Sequence, residues 1–176
     1  MASSTIRIKA VLPKDPDWKA VERELVTSMR QVAKIIDSDF QDTIASWNTQ
    51  PEFKTEETVK PVVIREFVYT ENEIYGWVSG GTGSFREGGS EYPIVAKNAD
   101  TLAYPSLFSP KTSPGWVGSQ GGGKSGPMVF PKAVMHPGIE PRNFPLAIKE
   151  KREKWILRIM QEAMKRAAKA SNHAMP

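Results

Sequence analysis

Residues 15–47, DPDWKAVERELVTSMRQVAKIIDSDFQDTIASW, form the longest patterned stretch of this chain. Large apolar side chains recur at steps of three and four residues from Trp18 to Trp47, with charged residues between them. This spacing predicts an amphipathic helix that buries one face. Asp15 and Pro16 predict its start, because Asp caps helices and Pro suits the first helical position. A helix over 15–47 would be about 50 Å long.

Short strands are predicted on either side of this helix. Alternating apolar residues predict a strand over 4–12. Residues 48–61 are polar and predict a connector. The β-branched and aromatic stretch that follows predicts a β-hairpin over 62–82, with its turn at the sequence TENE.

The C-terminal half combines a loop region, a strand and a second helix. Eleven of the thirteen glycines and six of the fourteen prolines lie in residues 79–131, so we predict a long loop region over 83–127. Pro131 limits a predicted strand over 128–136 to a sheet edge or a bulge. An apolar stripe predicts a helix over 143–171. The predicted fold is α+β in one domain, 1–176: an antiparallel sheet flanked by a long N-terminal helix and a long basic C-terminal helix, with an extended Gly/Pro-rich loop.

Composition narrows the classes of protein to consider. The 176 residues contain no cysteine, which excludes disulfides and cysteine metal sites and suits a reducing compartment. The net charge is +4, and the part from Arg142 onward has nine Lys/Arg against three Asp/Glu. No apolar run approaches the roughly 18 residues of a membrane span, and the N-terminus lacks a signal peptide's apolar stretch. We therefore expect a soluble protein made in the cytoplasm, without a membrane partner.

The sequence GSQGGGKS, residues 118–125, matches the phosphate-binding loop pattern G-x-x-x-x-G-K-[ST], with Gly118, Gly123, Lys124 and Ser125 in the defining positions. A working loop of this kind follows a buried strand and opens a helix. Here prolines precede the motif, and Gly126-Pro127 and an extended MVF stretch follow it. The flanks therefore argue against a nucleotide-binding enzyme and favour a flexible hairpin tip.

Few other residues are candidates for catalysis or metal binding. His136 precedes Pro-Gly in a turn without a second ligand at metal-binding spacing, and His173 lies near the C-terminus. The chain has no cysteine nucleophile and no G-x-S-x-G elbow. We therefore expect no catalytic residues, no metal and no cofactor. Trp116 differs from the tryptophans of the helical stripes, because it lies in a Gly/Pro loop where an aromatic side chain suits a protein contact.

Three motifs occur in a fixed order in the second half of the chain: YGWVSGGT at 75–82, IVAKNADTLAY at 94–104 and FPKAVMHPGIEPRNF at 130–144, before the last helix. This order resembles the neck and tail-completion proteins of tailed bacteriophages, a family often described as putative tail components. The resemblance covers residues 62–170, and the helix before them also fits. Its landmark residues are Gly81, Thr82, His136, Pro137, Gly138, Asn143 and Phe144.

The resemblance implies a non-enzymatic virion protein at the head–tail junction. Such a protein would form a ring of identical copies between head connector and tail proteins, in the role of neck protein, tail-completion factor or tail terminator. The Gly-rich loop, which is longer than is common in the family, would become ordered against an adjacent ring. Candidate assembly contacts are Trp116, Trp155, Arg158 and Lys165.

Lys111, Lys124 and Lys132 are the candidates for non-specific contact with genomic DNA, by phosphate attraction. Two alternatives to the neck hypothesis remain open. The chain could be a small nucleic-acid-binding module that uses the basic C-terminal helix, with binding that weakens steeply in salt. It could also be a phosphate-loop enzyme that depends on Lys124.

Overall fold

The structure is a computed structural model, and it describes residues 17–60 and 63–171. The predicted strand over 4–12 lies outside these residues. The described part is an α+β fold with a long helix near each end, as predicted. Its helices and strands are α1 (Trp18–Ile44), β1 (Lys54–Lys60), β2 (Val63–Tyr69), α2 (Glu73–Gly80), β3 (Tyr92–Val95), β4 (Tyr104–Ser109), β5 (Gly123–Val129), β6 (Ala133–His136) and α3 (Phe144–Ala170).

The contacts of the chain define two compact units. We call one the ribbon unit; it consists of Asp42–Pro51 and Glu71–Phe144. The other, the helical unit, contains described residues 17–41, 52–60, 63–70 and 145–171. The assignment of 1–176 to a single domain stays a prediction.

The apolar stripe of α1 is buried from Val21 to Ile44 as its spacing predicts, whereas Trp18 at its start is 40% exposed. Leu25 and Met29 are fully buried in a cluster with Ile64 of β2 and with Ala163 and Ala167 of α3. The helix ends at Ile44, three residues before the predicted end, and the predicted start at Asp15 and Pro16 lies outside the described residues. Its first turn is capped by Asp17, whose side chain accepts hydrogen bonds from the backbone amides of Lys19 and Ala20 at 3.1 and 3.3 Å.

A buried carboxylate links the two long helices within the helical unit. Asp39 of α1 is 1% exposed and pairs with Lys151 at 2.8 Å and Arg152 at 2.5 Å, both on α3. Burial raises the pKa of Asp39, but hydrogen bonds from Arg152 and Lys151 and their charges outweigh burial and lower it. The helix predicted over 143–171 is confirmed as Phe144–Ala170.

The prediction of a hairpin over 62–82 is wrong in its second half. Residues Glu73–Gly80 form α2, because the side chain of Asn72 accepts a hydrogen bond from the backbone amide of Tyr75 at 2.9 Å and caps the helix. Tyr75 and Ser79 are buried on one helical face, whereas Ile74 and Trp77 are 56% and 48% exposed. The β-branched residues of this stretch suggested a strand, and the local cap overrides that preference.

The partner of β2 is instead β1, in the stretch 48–61 that was predicted to be a connector. The two strands pair antiparallel from Lys54 opposite Tyr69 to Lys60 opposite Val63. Six of the seven residues of β1 are exposed, so no apolar alternation marked it as a strand. Cross-strand pairing therefore creates this strand.

The region predicted as a loop over 83–127 contains two further antiparallel pairs, which we call the ribbons. One pairs β3 with β6 and the other pairs β4 with β5. The strand predicted over 128–136 is divided between them, because β5 ends at Val129 and β6 begins at Ala133. Three prolines lie inside the strands of the ribbons: Pro93, Pro105 and Pro127. Instead of one sheet, the described chain has three two-stranded sheets.

Among the described residues, no helix combines the length and apolar character that crossing a bilayer requires.

Candidate functional site

The main candidate site is the segment 92–135, which includes both ribbons and which we call the apolar segment. Nine large apolar side chains in it expose 38–69% of their area. They are Tyr92, Ile94, Val95, Leu107, Phe108, Trp116, Met128, Phe130 and Met135. In this range, which is described throughout, Thr112 is the one buried residue. The segment therefore forms strands without burying an apolar core of its own.

A pocket of about 490 Å³ lies among the strands of the two ribbons. Its wall is mostly apolar and includes Ile94, Tyr104, Phe108 and Val134, with Lys124 and His136 as the basic groups. This volume lies within the roughly 300–1,000 Å³ typical of sites that bury a ligand or a large side chain. The apolar segment therefore has a concave part as well as protruding side chains.

The ring of His136 is held in one tautomer. Its Nδ1 accepts a hydrogen bond from the backbone amide of Gly138 at 2.9 Å, so in the neutral ring the proton is on Nε2. The ring also packs against Tyr92, with 5.4 Å between the ring centroids. His136 therefore contributes a donor and an aromatic face to the pocket, whereas its acceptor nitrogen is occupied.

The landmark residues, which are about 55 positions apart in sequence, come together beside the pocket. The backbone amide and the hydroxyl oxygen of Thr82 bond to the backbone of Ile139, both at 2.9 Å, and Pro137 accepts from the amide of Ser84 at 2.7 Å. Gly138 has φ +104°, and a Cβ there would lie 2.1 Å from the Thr82 carbonyl oxygen. We call this contact between residues 78–84 and 136–143 the glycine junction.

The glycine junction continues to the start of α3. The backbone amides of Arg142 and Asn143 donate to the carbonyls of Val78 and Ser79 at 3.1 and 2.9 Å. Asn143 has a left-handed backbone with φ 51°, and Phe144 is fully buried with its ring 5.4 Å from that of Tyr75. Gly81 ends α2 with φ 77°, and a Cβ there would lie 2.9 Å from the Ile139 carbonyl oxygen. The landmark residues therefore have a structural role: they hold the chain after α2 against the chain between β6 and α3.

The GSQGGGKS motif does not have the geometry of a phosphate-binding loop. Gly123, Lys124 and Ser125 lie in β5, where Lys124 pairs in register with Phe108 of β4. No helix begins at the end of the motif, so backbone amides with an aligned helix dipole are missing there. Gly118 lies in the preceding loop with φ 129°.

The three lysines proposed to face DNA lie on different elements. Lys111 follows β4, and its ammonium group donates to the carbonyl of Ser46 at 2.9 Å. Lys124 lines the pocket, and Lys132 lies exposed between β5 and β6. A common DNA-facing surface for the three stays a prediction.

The candidate assembly contacts are divided between the two units. Trp116 is 54% exposed in the loop between β4 and β5. On α3, Trp155 is partly buried with the guanidinium carbon of Arg152 5.9 Å from the centroid of its ring, whereas Arg158 and Lys165 are exposed. Sequence analysis missed the exposed Ile74 and Trp77 of α2 because this stretch was predicted to be a strand.

The helical unit contains a second electrostatic feature. Glu66 of β2 lies opposite Glu57 of β1 and is 5% exposed. Its Oε1 atom is buried and has no hydrogen-bond partner among the described residues. Burial, together with the hydrogen bond and charge of Glu57, raises the pKa of Glu66 to about 7. Arg30 binds both oxygens of Glu57 at 2.7 and 2.8 Å and lowers the pKa of Glu57.

No protein-family model matches this sequence, and no curated protein or solved structure matches it either. The resemblance to phage proteins therefore rests on the three motifs of residues 75–144.

Proposed function

We propose that this chain is a structural protein of the head–tail junction of a tailed bacteriophage, a neck or tail-completion protein that assembles as a ring. The observation that carries the proposal is the apolar segment. Two-stranded sheets are marginally stable alone in water, and both ribbons expose their apolar side chains. A protein surface that packs against them would supply the missing core.

The size of this surface supports association with other copies. Nine side chains at roughly 100 Å² each expose on the order of 900 Å², whereas a standard interface takes about 800 Å² from each partner. This area is distributed over both faces of the ribbons, because strand neighbours such as Leu107 and Phe108 point to opposite faces. The apolar segment therefore suits a permanent contact better than the surface of an isolated monomer.

The site also favours assembly over catalysis. The glycine junction fixes its backbone through glycines and amide–carbonyl bonds, and the GSQGGGKS motif lies in a strand. The order of the three motifs supports the phage head–tail junction, with the ring joining head connector and tail. A tail terminator is the alternative within the same class of virion proteins.

The test is the mass and shape of the purified protein. We expect native mass spectrometry to find one closed oligomer at micromolar concentration, and negative-stain electron microscopy to show rings with a central opening. A monomer at all concentrations, or an open filament, would contradict the ring.

Two leucines of nearly equal exposure identify the contact surface. Leu107 in β4 is 60% exposed and Leu157 in α3 is 58% exposed. We expect Leu107→Ser to weaken assembly at least tenfold and Leu157→Ser to leave it close to wild type. The opposite result would assign the contact to α3, where Trp155, Arg158 and Lys165 are the candidate residues.

A further inference from the structure

We infer that the exposed face of α2 in one copy inserts into the pocket of the next copy, with Trp77 as the side chain that fills it. This inference rests on the proposed ring. A ring of more than two copies needs two different, complementary surfaces on each copy, because the contact is head-to-tail. The ribbon unit contains a concave and a convex apolar surface, and its described residues leave both exposed.

The convex surface is the face of α2 formed by Glu73, Ile74 and Trp77. Ile74 and Glu73 lie three and four positions before Trp77, so both are neighbours of Trp77 on one side of the helix. Ile74 and Trp77 are 56% and 48% exposed, whereas Tyr75 on the opposite face is 1% exposed and anchors the helix. The two apolar side chains are therefore presented on a rigid element, which lowers the entropy lost on binding.

The concave surface is the pocket of about 490 Å³ among the ribbons. Its apolar wall suits an indole, and Lys124 adds a cation, which is attracted to the face of Trp more strongly than to other rings. Tryptophan in a desolvated pocket is also a frequent hot spot of interfaces. The polarity of the pocket wall therefore matches that of Trp77.

Charge supports the same pairing. Glu73 is exposed one helical turn before Trp77 and is the acidic residue of the first turn of α2. Lys124 is the ammonium group in the pocket wall. With Trp77 inserted, the Glu73 carboxylate of one copy pairs with Lys124 of its neighbour.

Trp116 is the competing occupant, because it is 54% exposed and belongs to the same unit. It lies in the loop that connects β4 with β5, two strands that themselves line the pocket. No carboxylate is adjacent to it in sequence, since its neighbours are Gly115 and Val117. Trp77 is the better candidate because it lies on a helix, beside the apolar side chain of Ile74 and one turn after the acidic Glu73.

The first experiment compares three tryptophan variants by native mass spectrometry and analytical ultracentrifugation. We expect Trp77→Ser to weaken assembly at least tenfold. Trp18→Ser is the matched control, since Trp18 is 40% exposed on α1, and it should assemble like the wild type. Loss of assembly in Trp116→Ser but not in Trp77→Ser would overturn the inference and leave the ring standing.

Charge reversal tests the contact independently of packing. Glu73→Lys and Lys124→Glu should each weaken assembly about threefold to tenfold, and the double variant should recover most of the loss. Single variants without an effect, or a double variant with the two losses combined, would contradict the pairing. Circular dichroism and urea midpoints must match the wild type, because both residues are exposed.

Photo-crosslinking identifies the occupied surface directly. With p-benzoylphenylalanine in place of Trp77, irradiation of the assembled protein should join position 77 of one copy to peptides from residues 94–108 or 124–136 of another. Crosslinks to other peptides alone would overturn the inference. A wild-type protein that remains monomeric would overturn both this inference and the proposed function.

Discussion

The helical unit and the apolar segment differ in where they place large apolar side chains. In the helical unit, the stripe of α1 is buried against β2 and α3, and residues such as Leu25 and Met29 are fully buried. In the apolar segment, residues of the same kinds, such as Leu107 and Met128, are at least half exposed. The first region encodes its own core, whereas the second leaves side chains of the same kinds exposed among the described residues.

The largest expected difference between the two regions comes from two methionines. Met29→Ala removes a fully buried side chain and should lower the free energy of unfolding by about 2–5 kcal/mol. Met128 is 50% exposed, and Met128→Ala should change it by less than about 0.5 kcal/mol in dilute, monomeric protein. Urea unfolding measures both. Equal losses would show that the apolar segment is packed within the monomer.

The next effect in size concerns Asp39. Asp39→Asn leaves Lys151 and Arg152 without their shared carboxylate and should lower the free energy of unfolding by about 2–4 kcal/mol. This loss is smaller than the roughly 3–5 kcal/mol of fully buried ion pairs, because both cations contact water. Asp42→Asn is the control on the same helix, exposed and expected to be nearly neutral. Because the folded pKa of Asp39 is lowered, its contribution is present above pH 4 and is lost as pH falls through the folded pKa. An equal loss of stability in Asp39→Asn and Asp42→Asn would contradict a stabilising role of the ion pairs of Asp39.

The smallest effect is a pH dependence with the opposite sign. The pKa of Glu66 rises from its ordinary 4.5 to about 7 in the folded protein, so folding favours the protonated carboxyl. The stabilising effect of protonation is complete below about pH 4 and is lost as pH rises through 7, on the order of 1–3 kcal/mol. We expect Glu66→Gln to flatten this slope and to raise the urea midpoint at pH 8.

The control for this slope is Glu91→Gln, which changes an exposed carboxylate next to the apolar segment. It should leave the pH dependence as in the wild type. A stability that rises between pH 5 and pH 8 and responds equally to both variants would contradict the role of Glu66.

Sequence patterns predicted the long helices because their burial follows a local period. Both apolar stripes recur every three to four residues; the structure buries the stripe of α1 from Val21 to Ile44 and part of the stripe of α3, including Ile148, Ala163 and Ala167. The prediction of a strand over 74–82 was wrong. Its apolar residues favoured a strand, but Asn72 caps a helix that begins at Glu73. Strand β1 was missed because its residues are mostly polar and only its pairing with β2 identifies it as a strand.

The candidate site could be predicted in part only. The Gly/Pro content of 79–131 indicated irregular structure, but pairing between β3 and β6 joins residues about 40 positions apart, beyond any local pattern. The landmark residues were identified by their motifs, whereas their meeting in the glycine junction depends on hydrogen bonds between residues about 55 positions apart, which no local pattern predicts. The pocket follows from that long-range pairing, so no short motif marked its residues as one site.

The prolines inside the ribbons limit the addition of further strands. Pro93, Pro105 and Pro127 carry no amide hydrogen, so strands β3, β4 and β5 each lack one backbone donor. An open ribbon rich in exposed Phe, Leu and Met would otherwise be a template for cross-β growth. A missing donor in each of these strands works against the continuous addition of further strands, which an exposed apolar ribbon would otherwise favour.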